Sequence, residues 1–246
     1  MKVIIPAAGL GKRFIAEGIT SPKELLPLGG KPLIGHALAE AARAGFDSAV
    51  VVVSPAKEDL RQFLLANDHP LPVEIVVQPR PLGIGEAVLR CWRNEIVAVL
   101  LPDDVVLEGD YWARLIDLSE KTGAATLCVR RVPASLINRF GIAECEGDQA
   151  TRLIEKPLPG ATRSDLAIFG RYVVTGPVID GLHVSRLTGE LQLTEGFSHA
   201  VASRPGVRVI HVTSEIYDCG TPSDYAASMA RFPIQDSEPT SMRSDT

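Results

Sequence analysis

The segment Val3-Ile4-Ile5-Pro6-Ala7-Ala8-Gly9-Leu10-Gly11-Lys12-Arg13 joins a short, β-branched apolar run to a glycine loop that ends in two cations. Val3 to Ile5 has the composition of a strand buried on both faces. In an open sheet of alternating strands and helices, ligands sit beyond the carboxyl ends of the strands, so the loop after this strand is the first candidate site. Gly9 and Gly11 let the backbone turn tightly and aim N–H groups at an anion, while Lys12 and Arg13 add charge. Two better-defined glycine loops fail here. The dinucleotide fingerprint needs Gly or Ala where Phe14 stands, which argues against an NAD-dependent dehydrogenase, and a Walker A loop needs Ser or Thr where Arg13 stands. An isolated pair of glycines is an ordinary surface turn. Its position after the first strand, together with the segment that follows, favours a phosphate cradle.

That segment, Ser21-Pro22-Lys23-Glu24-Leu25-Leu26-Pro27-Leu28-Gly29-Gly30-Lys31-Pro32, contains three prolines that hold Lys23 in a rigid stretch. From Gly9 to Pro32, four cations (Lys12, Arg13, Lys23, Lys31) outnumber two anions (Glu17, Glu24). The whole chain has the opposite balance, with 25 Lys and Arg against 30 Asp and Glu and a net charge of -5. A nucleic-acid partner is disfavoured, because phosphate neutralisation along a polymer needs a surplus of cations. A small polyanionic substrate accounts for the local reversal.

Outward from this region, apolar runs alternate with segments of helical period, as in a sheet covered by helices. Gly30-Lys31-Pro32 opens a helix carrying Leu33, Ala37, Leu38, Ala41 and Ala42 on one face, and Gly45 closes it. Strands are expected at Ala49 to Val53, Val73 to Val77 and Ile96 to Leu101, with helices near Lys57 to Ala66 and Gly85 to Arg93. The fold class is therefore α/β with an open, doubly wound sheet. Beyond about residue 125 the rhythm changes to strands with little helix between them: Ala125 to Val132, Gly141 to Cys145, Thr151 to Ile154 and Leu166 to Val174. These predict an added, partly antiparallel region lying across the first sheet. A helix at Leu193 to Ser203, a strand at Val207 to Val212 and a helix near Pro222 to Ala230 complete one domain over residues 1–231, and the polar, aperiodic residues 232–246 are expected to form a disordered tail.

The 246 residues are 46% hydrophobic, enough for one large core, yet no apolar run reaches membrane-spanning length. Pro6 interrupts the start too early for a signal peptide, so a soluble, cytoplasmic protein is expected, without a membrane partner. Cys91, Cys128, Cys145 and Cys219 form no CxxC pair and read as free thiols, and the five histidines show no ligand spacing.

Taken together, Ala7-Ala8-Gly9-Leu10-Gly11-x-Arg13, Pro22-Lys23-Glu24-Leu25-Leu26-Pro27 and Lys31-Pro32-Leu33-Ile34 resemble the sugar-1-phosphate nucleotidyltransferases. Glu155-Lys156-Pro157, Leu166-Ala167-Ile168-Phe169-Gly170-Arg171-Tyr172, Gly189-Glu190-Leu191-Gln192-Leu193-Thr194 and Tyr217-Asp218-Cys219-Gly220 narrow the resemblance to the bacterial UTP:glucose-1-phosphate uridylyltransferases, from Val3 to about Tyr225. The resemblance implies a Rossmann-like nucleotidyltransferase fold, UTP and glucose 1-phosphate as partners, and Mg2+ as cofactor. The chemistry agrees with the residues present. A sugar phosphate has its second pKa at about 6 and is its own nucleophile at neutral pH, so the lack of a Ser/His/Asp or Cys/His constellation leaves no gap.

By the same resemblance, Ala8, Gly9, Gly11 and Lys12 cradle the triphosphate, with Lys12 where the family usually carries Thr. Arg13 binds the β- and γ-phosphates and Lys23 the α-phosphate. Asp103, at the end of Leu100-Leu101-Pro102-Asp103-Asp104, and Asp218 are the metal carboxylates, and the role of Asp104, in the chemistry or only in shaping the loop, is left open. Gln78 and Gly83 read the pyrimidine edge, an amide offering both donor and acceptor. Glu155 accepts from sugar hydroxyls and Lys156 holds the sugar phosphate. Gly141 and Gly170 leave room for the hexose ring or permit a strand bulge. A dTTP-dependent thymidylyltransferase and a noncatalytic nucleotide-sugar binder are the alternatives. The chain is shorter than typical members before Gly141 and at its C-terminal end, where the family often builds subunit contacts, so a homo-oligomer is left open.

Overall fold

The computed structural model describes residues 1–184 and 189–233. The first half runs β1 (Lys2–Ala7), α1 (Lys12–Ala16), β2 (Pro27–Leu28), β3 (Lys31–Pro32), α2 (Leu33–Arg43), β4 (Ser48–Val53), α3 (Glu58–Ala66), β5 (Val73–Val77), α4 (Ile84–Cys91) and β6 (Val97–Leu100). It continues with β7 (Asp104–Val105), α5 (Tyr111–Thr122), β8 (Ala125–Arg131), β9 (Gly141–Glu146), β10 (Gln149–Glu155) and β11 (Leu166–Val174). Last come α6 (Gly176–Asp180), α7 (Leu193–Ala202), β12 (Val207–His211), β13 (Tyr217–Asp218) and α8 (Pro222–Arg231).

The main sheet has nine strands in the order β5-β4-β1-β6-β11-β8-β12-β10-β9. β5, β4, β1 and β6 are parallel, and β1 lies between β4 and β6 although β6 follows β5 in sequence. The chain order therefore reverses beside β1, and the loops leaving β1 and β6 flank the crevice where such a sheet binds ligands. Period-two alternation explains why both faces are covered. Val3, Ile5 and Ala7 pack with Ile34, Ala37 and Leu38 of α2 on one side. Ile4 and Ala8 pack with Ala87 and Val88 of α4 on the other.

Beyond β6 the sheet turns mixed, since β11 is antiparallel to both β6 and β8 while β12 is parallel to β8. The antiparallel strands expected after residue 125 are present, but they extend the first sheet instead of lying across it. Its far end curls until β9 meets β11 at Ile142 and Ala167, so that β11, β8, β12, β10 and β9 complete a circuit. The reason is a register shift in β11 between Phe169 and Tyr172, which bends the strand where Gly170 sits. Residues 102–124, where the sequence shows no clear period, hold β7 and α5; Tyr111, Trp112 and Leu115 of α5 are buried against the sheet.

Of the expected tail, residues 234–246 lie outside the described residues. Phe232, at its start, is buried beside Leu28 and Tyr217, with its ring 4.8 Å from that of Tyr217. No helix among the described residues is long and apolar enough to cross a membrane.

Candidate active site

Two cavities meet at the carboxyl ends of β1 and β6. The first, about 370 Å³, is bordered by Ala8, Gly9, Gly11 and Lys12 of the loop after β1, by Lys23, and by Gln78 and Gly83. The second, about 580 Å³, is bordered by Gly141, Glu155, Gly170, Thr194 and Asp218. Asp103 and Lys156 belong to both, so the two spaces share a wall of opposite charges. Every site residue expected from the sequence lies on one cavity or the other. Arg13 is set apart from the rest of its loop: it lines the second cavity, where Nη1 donates to the Gly220 carbonyl at 3.4 Å.

The loop after β1 is available to an anion. Among the described residues, no acceptor takes the N–H groups of Gly9, Leu10 or Gly11, and α1 begins immediately afterwards. Lys23 is fixed by its neighbour. A turn of 3₁₀ helix at Lys23–Leu25 places Glu24 in the interior, where it pairs with Lys57 at 2.7 Å, and Lys57 also donates to the Ala7 carbonyl at 2.8 Å. Glu24 is therefore a buried tie from the lysine segment to the end of β1. Lys23 then forms an ion pair with Asp103. Burial alone would lower the Lys23 pKa, but Asp103 and then Glu24 raise it above its ordinary value, so the side chain stays charged.

Three aspartates share the region. β7 pairs with β13, with Asp104 opposite Asp218, which brings the two distant acidic segments together. A Cβ on Gly220 would lie 3.2 Å from Asp218 Oδ1 and 3.8 Å from Asp103 Oδ2, so both carboxylates face the same gap. Burial, followed by Lys23, sets the balance at Asp103, where Lys23 prevails and holds the pKa below the usual range. Burial raises Asp218, reinforced by Asp224 and Asp103. Asp104 is pushed up to about 7 by burial and by the Asp218 and Asp103 charges. Its Oδ2 accepts from the Gly170 N–H at 3.3 Å, giving it a defined place beside the second cavity. Among the described residues no three acidic, histidine or cysteine side chains gather as a complete metal cage. The arrangement suits a hard divalent cation held by two carboxylates and completed by phosphate oxygens and water.

On the far wall, Thr194 Oγ1 donates to Glu155 Oε2 at 2.8 Å and fixes the carboxylate that borders the second cavity. Lys156 has φ 44, an uncommon left-handed conformation for a residue with a side chain, and its N–H donates to the Phe140 carbonyl at 3.1 Å. At Gly170 a Cβ would meet Leu101 Cβ at 2.7 Å and Asp104 Oδ2 at 3.0 Å. The glycine is required by the close approach of Leu101 and Asp104, before any ligand is considered.

A profile of the nucleotidyl transferase family matches residues 2–232. The chain belongs to this family. It is 31% identical to the UTP–glucose-1-phosphate uridylyltransferase of Bacillus subtilis strain 168, over 96% of this chain and 92% of that protein. The same-named protein of Staphylococcus epidermidis ATCC 12228 is 30% identical over 96% and 93%. Among solved structures, the UTP-bound UGPase from Acinetobacter baumannii superposes with a TM-score of 0.76 at 28% identity, covering 93% of this chain and 92% of that one. A UDP-glucose pyrophosphorylase complexed with UDP-glucose gives 0.81 at 25% identity, covering 93% and 97%.

In this nucleotidyltransferase several site residues carry no signal in the local sequence. Thr194 lies within a quoted motif, yet its contact with Glu155, 39 residues away, depends on how α7 docks on β10. Arg171 and Glu40 meet across 131 residues, and Glu86 reaches Gln78 from the first turn of α4. Gly83 has φ 95, and a Cβ there would come within 2.5 Å of the Leu191 carbonyl oxygen. Gly83→Ala should therefore lower unfolding free energy by about 1–3 kcal/mol and raise KM for the nucleoside triphosphate several-fold, read by thermal melts and steady-state kinetics. An unchanged KM would detach this turn from nucleotide binding.

Proposed function

We propose that this nucleotidyltransferase transfers a uridylyl group from UTP to glucose 1-phosphate, giving UDP-glucose and pyrophosphate. The observation that carries this reading is the pair of cavities joined at Asp103 and Lys156, one carrying the glycine loop and Gln78, the other Glu155 and Thr194. A triphosphate on the loop and a sugar phosphate on Lys156 would bring their phosphates together at that shared wall. The curated relatives and the UTP and UDP-glucose complexes named above support the choice of partners.

In this reading a phosphate oxygen of glucose 1-phosphate attacks the α-phosphorus of UTP as the α–β bridging bond breaks, and the bond electrons leave with pyrophosphate. No protein base is required, because the attacking phosphate is already largely dianionic at neutral pH. The protein's contribution is alignment and charge. Lys23 stabilises the α-phosphate, the loop N–H groups hold the outer phosphates, Arg13 would join them only by leaving the Gly220 carbonyl, and Lys156 holds the sugar phosphate. Glu155, fixed by Thr194, and Asp104 accept from sugar hydroxyls. Magnesium, when bound, neutralises phosphate charge around the reacting phosphorus, and Asp103 and Asp218 would hold it.

The test is pyrophosphate release measured over a grid of nucleoside triphosphates and sugar 1-phosphates with and without magnesium. UTP with glucose 1-phosphate should give the highest kcat/KM. dTTP should follow, since a thymine methyl changes discrimination by only about tenfold. A purine preference, or turnover without a sugar phosphate, would overturn the assignment.

A further inference from the structure

Gln78 is buried at the end of β5, and its amide is locked from one side. Nε2 donates to the Gly83 carbonyl at 3.0 Å and to Glu86 Oε2 at 2.6 Å. An amide nitrogen has two hydrogens, so both are used. The opposite orientation would set Oε1 against a carbonyl oxygen and a carboxylate. Glu86 is in turn held by Arg90 one helical turn away, which pairs with Oε1 and approaches Oε2 at 3.4 Å. Burial opposes charge on Glu86, but hydrogen bonds from Arg90 and Gln78 outweigh it and keep its pKa below the ordinary value. The carboxylate is thus ionised at neutral pH and acts only as an acceptor. Among the described residues no donor reaches Gln78 Oε1, the one polar atom this side chain has left for a ligand.

We propose that Glu86 is a specificity-determining positioning residue: by holding both amide hydrogens of Gln78 together with Gly83, it turns the glutamine into an acceptor-only reader of the nucleobase. This rests on the reading that Gln78 meets the base. An acceptor-only group selects a base whose Watson–Crick edge carries an imide N–H. Uracil and thymine donate from N3. Cytosine has a lone pair at N3, which would face Oε1 acceptor to acceptor. The device separates UTP and dTTP from CTP, and it does not distinguish UTP from dTTP. Once Glu86 is removed, Gly83 alone opposes the amide flip that would let Nε2 donate to cytosine.

The experiment compares kcat/KM for UTP, dTTP and CTP, with glucose 1-phosphate fixed, in the wild type and in Glu86→Ala, Glu86→Gln, Glu86→Lys and Gln78→Ala. Glu86→Ala should lower the UTP:CTP ratio at least about tenfold through KM, with kcat within about threefold, and the dTTP:UTP ratio should not move. Glu86→Gln keeps an acceptor oxygen and should hold the UTP:CTP ratio within about threefold of wild type. Glu86→Lys, an independent second variant, places a donor where the amide donates and should lower the ratio further than alanine. An unchanged ratio in Glu86→Ala and Glu86→Lys, with a lowered ratio in Gln78→Ala, would overturn the role of Glu86 and leave the base reading intact. An unchanged ratio in Gln78→Ala would overturn the base reading itself, and the role of Glu86 with it.

Discussion

Arg171→Met is expected to lower the unfolding free energy by about 3–5 kcal/mol and to cut kcat by roughly 10²-fold in the molecules that remain folded. Arg171 has no solvent exposure, and each of its five N–H groups has an acceptor. Nε and Nη2 donate to the two oxygens of Glu40, each at 2.5 Å. Nη1 donates to the carbonyls of Leu101 and Gly170 at 3.0 and 3.1 Å, and Nη2 to that of Asp104 at 2.6 Å. Glu40 also accepts from the Tyr111 hydroxyl at 2.9 Å and the Trp112 indole at 2.8 Å. Methionine matches the arginine stem but leaves a buried carboxylate without its cation and takes one donor from each of three carbonyls. Two of those carbonyls, Leu101 and Asp104, belong to the segment that carries Asp103, so the loss reaches the reacting centre. Pairing Arg171→Met with Glu40→Leu separates the two effects. The double variant should regain part of the stability in urea titrations, because no lone charge is buried, yet kcat should remain low. Recovery of both would reduce the network to a purely structural role.

Asp103→Asn is expected to reduce kcat/KM for pyrophosphate release by at least about 10³-fold while changing stability little. The side chain volume is retained and only the charge is lost. Removing that charge breaks the ion pair with Lys23, which is destabilising, but relieves the repulsion that raises Asp104 and Asp218. The opposing signs leave a small net change in melting temperature. The chemical consequence has no such offset, because among the described residues Asp103 is the only carboxylate on the wall common to both cavities. Lys23→Ala should show a comparable fall carried mainly by kcat, since its charge is needed where the α-phosphate reacts. Retention of more than about a tenth of wild-type activity in Asp103→Asn would remove Asp103 from the mechanism.

Much of the site was readable because its parts are local. The strand, the glycine loop and the proline-bracketed lysine lie within 32 residues, and their backbone requirements are written in neighbouring residue types. The same holds for Gln78 and Gly83, five residues apart, and for the carboxylates that end β6. The added strands were legible as strands, but their place was not, since pairing partners such as Ile142 and Ala167 are chosen by tertiary closure. β7 and α5 are not legible after residue 101 because Pro102, Gly109 and the surrounding acidic residues obscure the periodicity that begins at Tyr111.

By itself, the sequence determined the alternation of strands and helices, the crevice beside β1 and the chemical character of the groups around it, because these depend on periodicity and on residues close in the chain. Only the tertiary structure decided which charges are spent internally. Glu24, Glu40 and Glu86 read alike as polar helix or turn residues, yet one ties Lys57 to the lysine segment, one holds Arg171, and one fixes the Gln78 amide. Each role comes from a donor brought within hydrogen-bond reach by packing, and the energy of a buried charge depends on that partner far more than on its neighbours in sequence.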